Sequence, residues 1–157
     1  LKESKATRLQ KITPNIVAYL STPEINGNPV LILYVANLGE GVARNVRCEI
    51  FKDLENIDDI LLQERGIFKS GIEVFPPQYK LQYFLVTNCA HFDFSRKDAY
   101  IEFDILYEDI IGTEIRDHFK LSFNTIDGQS SAIPPIDYKN SVTYYLKSIN
   151  ETLKKNG

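Results

Sequence analysis

The chain reads as a mainly β protein, a seven-stranded antiparallel β-sandwich followed by a C-terminal α-helix. Three observations point there. Between Pro14 and Phe123, short apolar or alternating runs are separated by turn signals at roughly the 8 to 15 residue spacing of a sandwich. No strand–helix–strand rhythm interrupts them. After Phe123 the periodicity changes to that of an amphipathic helix.

The expected strands are Asn15 to Ser21, Pro29 to Asn37, Arg44 to Phe51, Gly66 to Ile72, Lys80 to Val86, Ala99 to Tyr107 and Glu114 to Phe123. The second contains Val30-Leu31-Ile32-Leu33-Tyr34-Val35-Ala36, apolar at every position, which is the pattern of a central strand covered on both faces. The third alternates, with Val46, Cys48 and Ile50 on one side and Asn45, Arg47 and Glu49 on the other. The sixth also alternates: Ile101, Phe103, Ile105 and Tyr107 point inward, and Glu102 and Asp104 point to solvent. The last strand sets Ile115, Phe119, Leu121 and Phe123 on one parity, which turns Asp117 inward as well, so a bulge or strand end is expected there.

Turn chemistry separates these runs. Asn26-Gly27-Asn28-Pro29 predicts a hairpin from the first strand to the second, and Ile111-Gly112-Thr113 predicts one between the last two. Phe75-Pro76-Pro77 stops pairing ahead of Lys80, because proline donates nothing to a ladder. Asp53 to Glu64, with Leu54, Ile57, Leu61 and Leu62, fits either one or two helical turns crossing between sheets or a loop with apolar anchors.

Four segments follow: a polar, basic lead-in over 1–13, the sandwich over 14–124, a linker over 125–136 and an amphipathic helix over 137–157. Asp127-Gly128-Gln129-Ser130-Ser131 and Pro134-Pro135 have linker composition. Asp137 is placed to cap the helix, whose Val142, Tyr145, Leu146, Ile149 and Leu153 recur at helical spacing, with Lys154 and Lys155 suited to its carboxyl end. That stripe packs on its own sandwich, pairs with another copy or another protein, or lies on a membrane surface.

The longest apolar run is strand length, so nothing within the sequence spans a bilayer as a helix. A net charge of −3 supplies no basic field for nucleic acid. With no Met, Leu1 in front, and Lys2, Lys5, Arg8 and Lys11 against Glu3 alone, the lead-in reads as a fragment's start. Any membrane attachment would come through an anchor upstream of Leu1, with the domain on the cytoplasmic side.

Residues Val35-Ala36-Asn37-Leu38-Gly39-Glu40-Gly41-Val42-Ala43-Arg44-Asn45-Val46 resemble the N-x-G-x-G-x-A-x-N-V turn of bacterial immunoglobulin-like domains, the CARDB-like modules found in often membrane-anchored proteins. The turn at Phe75-Pro76-Pro77, Tyr107-Glu108-Asp109 and Gly112 agree with it, over about 110 residues. The resemblance implies an immunoglobulin-like sandwich and little about chemistry. Backbone needs account for the motif: Gly39 and Gly41 for positive φ in a tight connection, Asn37 and Asn45 for bonding turn amides, Ala43 for close packing.

No catalytic, cofactor or metal set emerges. His91 and His118 have no ligand spacing, and Cys48 and Cys89 allow one bridge at most, Cys48 reading as core and Cys89 as partly exposed. Acid clusters at Glu55/Asp58/Asp59 and Glu108/Asp109 would hold calcium only if their loops converge. The expected function is a non-catalytic interaction or assembly module. Its candidate surface is Phe92 and Phe94 in a polar loop, with Val142, Tyr145, Leu146, Ile149 and Leu153 on the helix. A calcium- or carbohydrate-binding domain, or an enzyme, is the alternative.

Overall fold

The computed structural model describes residues 4–54, 61–87, 89, 92–126 and 138–156, with the backbone alone at 10 and 138–145. The protein is mainly β, with antiparallel sheets and a C-terminal helix. In chain order the elements are α1 (Lys5–Ile12), β1 (Ile16–Ser21), β2 (Glu24–Ile25), β3 (Asn28–Pro29), β4 (Leu31–Asn37) and β5 (Ala43–Lys52). They continue with α2 (Gly66–Ser70), β6 (Ile72–Phe75), β7 (Lys80–Val86), β8 (Tyr100–Glu108), β9 (Glu114–Ser122) and α3 (Tyr138–Asn156). Short 3-10 turns precede α2, at Leu62–Glu64, and follow β9, at Phe123–Ile126.

One sheet has the order β1-β4-β7, a second β6-β5-β8-β9, and β2-β3 form a small ribbon. The two larger sheets share one core. Ile16, Leu33, Val35 and Leu85 enter it from the first, and Val46, Phe75, Ile101, Phe103 and Ile105 from the second. The alternation in β8 therefore turns Ile101, Phe103 and Ile105 inward as expected, while Asp104, expected in solvent, is buried on the other face. β4 is the central strand of its sheet, and six of its seven residues are buried. Its far side is covered by cross-strand neighbours: Tyr19 stacks on Tyr34 with centroids 5.2 Å apart, Lys80 lies over the same ring, and Phe84 is registered opposite Ile32.

Several local expectations change. Gly66 to Ile72 is not a strand: Gly66–Ser70 is helical, which lets the consecutive Ile67 and Phe68 both enter the core, where a strand would send them to opposite faces. The pairing strand begins only at Ile72. The segment after β5 does not cross between sheets, because β6 returns to pair with β5. Buried Leu54 and Leu62 anchor it, while 55–60, including Ile57, lie outside the described residues. The ends of that segment are tied by Asp53, whose Oδ1 accepts from Leu54 N–H at 2.6 Å and Leu62 N–H at 2.7 Å, and whose Oδ2 accepts from Gln63 N–H at 2.9 Å.

β9 has no bulge. Its register with β8 is continuous from Glu114 to Ser122, and Asp117, half-buried on the core side of this edge strand, is satisfied by the Tyr107 hydroxyl at 2.6 Å. Burial, and then the bond to Asp117, push the Tyr107 phenol upward, so it remains a donor. The β8–β9 hairpin closes on Asp109, whose Oδ1 accepts from Ile111 and Thr113 N–H. Asn26 and Gly27 do adopt positive φ, but in the turn of the β2-β3 ribbon that sits between the paired strands β1 and β4.

The turn 38–42 is built around Asn37, a fully buried amide with every bonding position used. Oδ1 accepts from Asn15 N–H at 3.1 Å and Gly39 N–H at 3.0 Å; Nδ2 donates to the carbonyls of Gly41 at 2.8 Å and Phe75 at 3.1 Å. Gly39 and Gly41 are not needed for positive φ, since neither has it. They are needed for space: a Cβ at Gly39 would stand 2.5 Å from Asn15 N, and one at Gly41 would overlap the Ile12 carbonyl. Asn45 has positive φ, and its amide donates to Glu108 rather than to the turn.

Replacing Asn37 by Ala strips partners from four backbone groups at once. The expected loss is about 2 to 4 kcal/mol, read from the urea midpoint. A loss below about 0.5 kcal/mol would show that the amide is not structural.

Candidate functional site

α3 is a 19-residue helix, and all the apolar side chains described on it are open: Leu146 is 61% exposed, Ile149 56% and Leu153 67%. Isolated exposed leucines are ordinary, but three on one seam of a helix are not. The side chains of Val142 and Tyr145 lie outside the described residues, as do Asp137 and the stretch 127–136. Ile126 belongs to the core, two residues past the expected edge of the sandwich.

Phe92 and Phe94 are half-buried rather than splayed on a polar loop. They meet edge to face at 4.8 Å, and Phe92 reaches the fully buried Phe123 at 6.1 Å, so the pair closes one end of the core.

The outer face of β5-β8-β9 carries a charged network. Glu49, Asp104 and His118 face one another directly across three strands. His118 Nδ1 lies 2.6 Å from Asp104 Oδ1, and its Nε2 lies 3.1 Å from Glu102 Oε1. Arg116 donates from Nε to Asp104 Oδ2 at 2.5 Å and from Nη2 to Glu49 Oε2 at 2.7 Å. Asp104, expected in solvent, is thus buried beneath Arg116 and His118, at 5% exposure. Beside this network Lys52 and Lys120 both lie over the Tyr100 ring, at 4.5 and 4.7 Å. The signal was present in the sequence: opposite charges alternate on two strands joined by a short hairpin, and its register brings them together.

The bond to Asp104 raises the His118 pKa above its ordinary 6.5. Burial pulls the Asp104 carboxyl up, but the bonds from His118 and Arg116 outweigh it, and the carboxyl sits below its ordinary 3.8. A histidine–carboxylate pair activates a nucleophile only when the second ring nitrogen is free to take its proton, and here Glu102 occupies that nitrogen.

Cys48 and Cys89 are free thiols; Cys89, expected to be partly exposed, is buried. Burial pushes the Cys48 thiol up to about 12 and raises that of Cys89, the opposite of an activated nucleophile. A shallow cleft of 460 Å³ lies beside Cys48, between β5 and the α2–β6 segment, and another of 290 Å³ lies between Arg47, Glu114 and Arg116. Among the described residues no three His, Cys, Asp or Glu side chains converge on a metal position. Glu108 Oε2 accepts from Asn45 and Asp109 Oδ1 from turn amides, and His91, Glu55, Asp58 and Asp59 lie outside the described residues. No described helix is long and apolar enough to cross a membrane.

Residues 1–127 match the family model described as "Domain of unknown function (DUF8453)", and the chain belongs to that family. The match takes in both sheets and ends one residue after the buried Ile126, leaving α3 beyond it. A search of curated proteins gave no match.

Three measurements check the site. His118 titrates above 6.5, so its pairing stabilises the fold fully below that value and is lost as pH rises through the folded pKa; a midpoint at or below 6.5 by NMR contradicts this. Accordingly, His118→Gln lowers the denaturation midpoint more at about pH 5.5 than at about pH 9. The buried Cys89 thiol stays slow towards a thiol reagent in the native protein and reacts on unfolding; fast native labelling of Cys89 contradicts its burial.

Proposed function

We propose that this DUF8453 domain is a non-catalytic interaction or assembly module: an immunoglobulin-like sandwich that carries α3 as its docking element. The observation behind it is the open seam of Leu146, Ile149 and Leu153 on a helix that follows a core already closed by Phe123 and Ile126.

The sheet orders support the immunoglobulin-like reading. Leaving aside the two-residue strands β2 and β3, the longer strands fall first-second-fifth in one sheet and fourth-third-sixth-seventh in the other. That is a Greek-key arrangement in which the chain changes sheets three times. The His118 cluster favours a non-catalytic role, because both ring nitrogens of the histidine are held by carboxylates.

Deleting residues 138–156 is the test. A docking element is dispensable for folding, so Tm should stay within about 3 °C of the full chain. A fall of more than about 10 °C would make α3 part of the core and overturn the reading.

A further inference from the structure

Strand direction gathers the entry to β1 and three connections at one end of the two sheets. There β4 gives way to β5, β6 to β7 and β8 to β9, as the pairings Ile16–Asn37, Ala36–Lys80, Ala43–Phe75, Arg44–Glu108 and Glu108–Glu114 require. Three of these segments are bonded to one another: Gly41 N–H donates to Thr13 O, Leu38 N–H to Asn15 O, and Gln78 Nε2 to the carbonyls of Leu38 and Gly39. Apolar side chains stand open at this end, where Leu9, Leu38, Tyr79, Ile110 and Ile111 are between 49% and 71% exposed. Turn positions favour Asn, Asp, Gly and Ser, yet the tip of the β8–β9 hairpin carries two consecutive isoleucines. Asp109 fixes that tip through the Ile111 and Thr113 amides, in a shape that leaves both isoleucines outside the core.

Beside these tips stands α1, whose Lys5, Arg8 and Lys11 are all exposed and which contains no acidic residue. The exposed acids near this end, Glu40, Glu73 and Glu114, are fewer than its exposed bases, which add Arg44 and Lys80 to the three on α1. Apolar tips set apart on convex loops do not make the continuous patch that a folded partner covers, but each can sink separately into a fluid interface. Basic side chains beside them match anionic headgroups. The net charge of −3 on the whole chain does not oppose this, because charges more than about 8 Å from the surface are screened at physiological salt.

We propose that this end of the sandwich docks on an anionic lipid bilayer, with Leu9, Leu38, Tyr79, Ile110 and Ile111 entering the boundary between headgroups and acyl chains and Lys5, Arg8 and Lys11 meeting the anionic headgroups. The contact does not involve α3 and is independent of the docking role proposed for that helix. Few side chains insert and few bases engage, so binding is weak, reversible and salt-sensitive.

The experiment is sedimentation of the full chain with vesicles of phosphatidylcholine alone and of phosphatidylcholine with about 30% phosphatidylserine. The parent should pellet with the anionic vesicles, leave them as salt rises from about 0.1 M to about 1 M, and stay in solution with the neutral ones. Ile110→Ser/Ile111→Ser and Lys5→Gln/Arg8→Gln should each weaken partitioning at least about tenfold with Tm within about 3 °C of the parent. Leu146→Ser/Ile149→Ser, on α3, should bind like the parent. A parent that ignores anionic vesicles, or binds neutral ones equally, overturns the proposal, as does binding that survives the first two variants. Loss of binding in the α3 variant moves the membrane contact to that helix and overturns it too. If light scattering without lipid shows the 18.0 kDa chain associating and Ile110→Ser/Ile111→Ser abolishing it, this end meets a second copy and not a bilayer.

Discussion

The saturated amide of Asn37 is the constraint around which the rest is arranged. Its side chain joins the start of β1, the turn leaving β4 and the end of β6, so one residue ties both sheets and the entry of the chain into the fold. Its backbone continues the tie, accepting from Gln78 N–H at 2.8 Å and donating to Tyr79 O at 3.0 Å. A buried amide with all four positions filled returns its desolvation cost, and one with a position empty does not. The neighbouring glycines follow from this: the turn must come within van der Waals range of Ile12 to Asn15 for the amide to reach both, and no side chain fits between.

The two faces of the second sheet use different physics. The inner face is a continuous apolar surface in which Phe103 meets Phe68 edge to face at 5.1 Å. The outer face is latticed by Glu49, Glu102, Asp104, Arg116 and His118, which bond across three strands and so hold the edge strand β9 to its neighbour. Charges along such an edge also discourage a foreign strand from pairing there. An edge guarded in this way makes strand addition at β9 unfavourable.

What the sequence made legible follows the range of the interactions. Alternation in β8, the unbroken apolar run of β4 and the hairpin at Asp109 to Thr113 are local signals, and the structure carries each of them. The short helix Gly66–Ser70 was not legible, because it is set by contacts distant in the chain: Ile67 N–H donates to the Tyr83 hydroxyl at 3.2 Å, and Phe68 lodges against Phe103. For the same reason the glycines of the turn looked conformational when their need is space beside the distant segment Ile12 to Asn15, and Asp117 suggested a bulge when Tyr107 across the strand was its partner. On the candidate surface, the α3 stripe could be read from spacing alone. The half-burial of Phe92 could not, since it depends on Phe123.

Asp53 fastens both sides of the excursion between β5 and the following helical turn, holding Leu54, Leu62 and Gln63 by a single carboxylate. The pairing of β5 with β6 therefore does not depend on how many residues lie between those anchors. Closure entropy grows only with the logarithm of loop length, so this is where the fold can absorb inserted sequence at least expense to its stability. For an engineer grafting a peptide it is a port: length can be added there while the carboxylate keeps the frame in register.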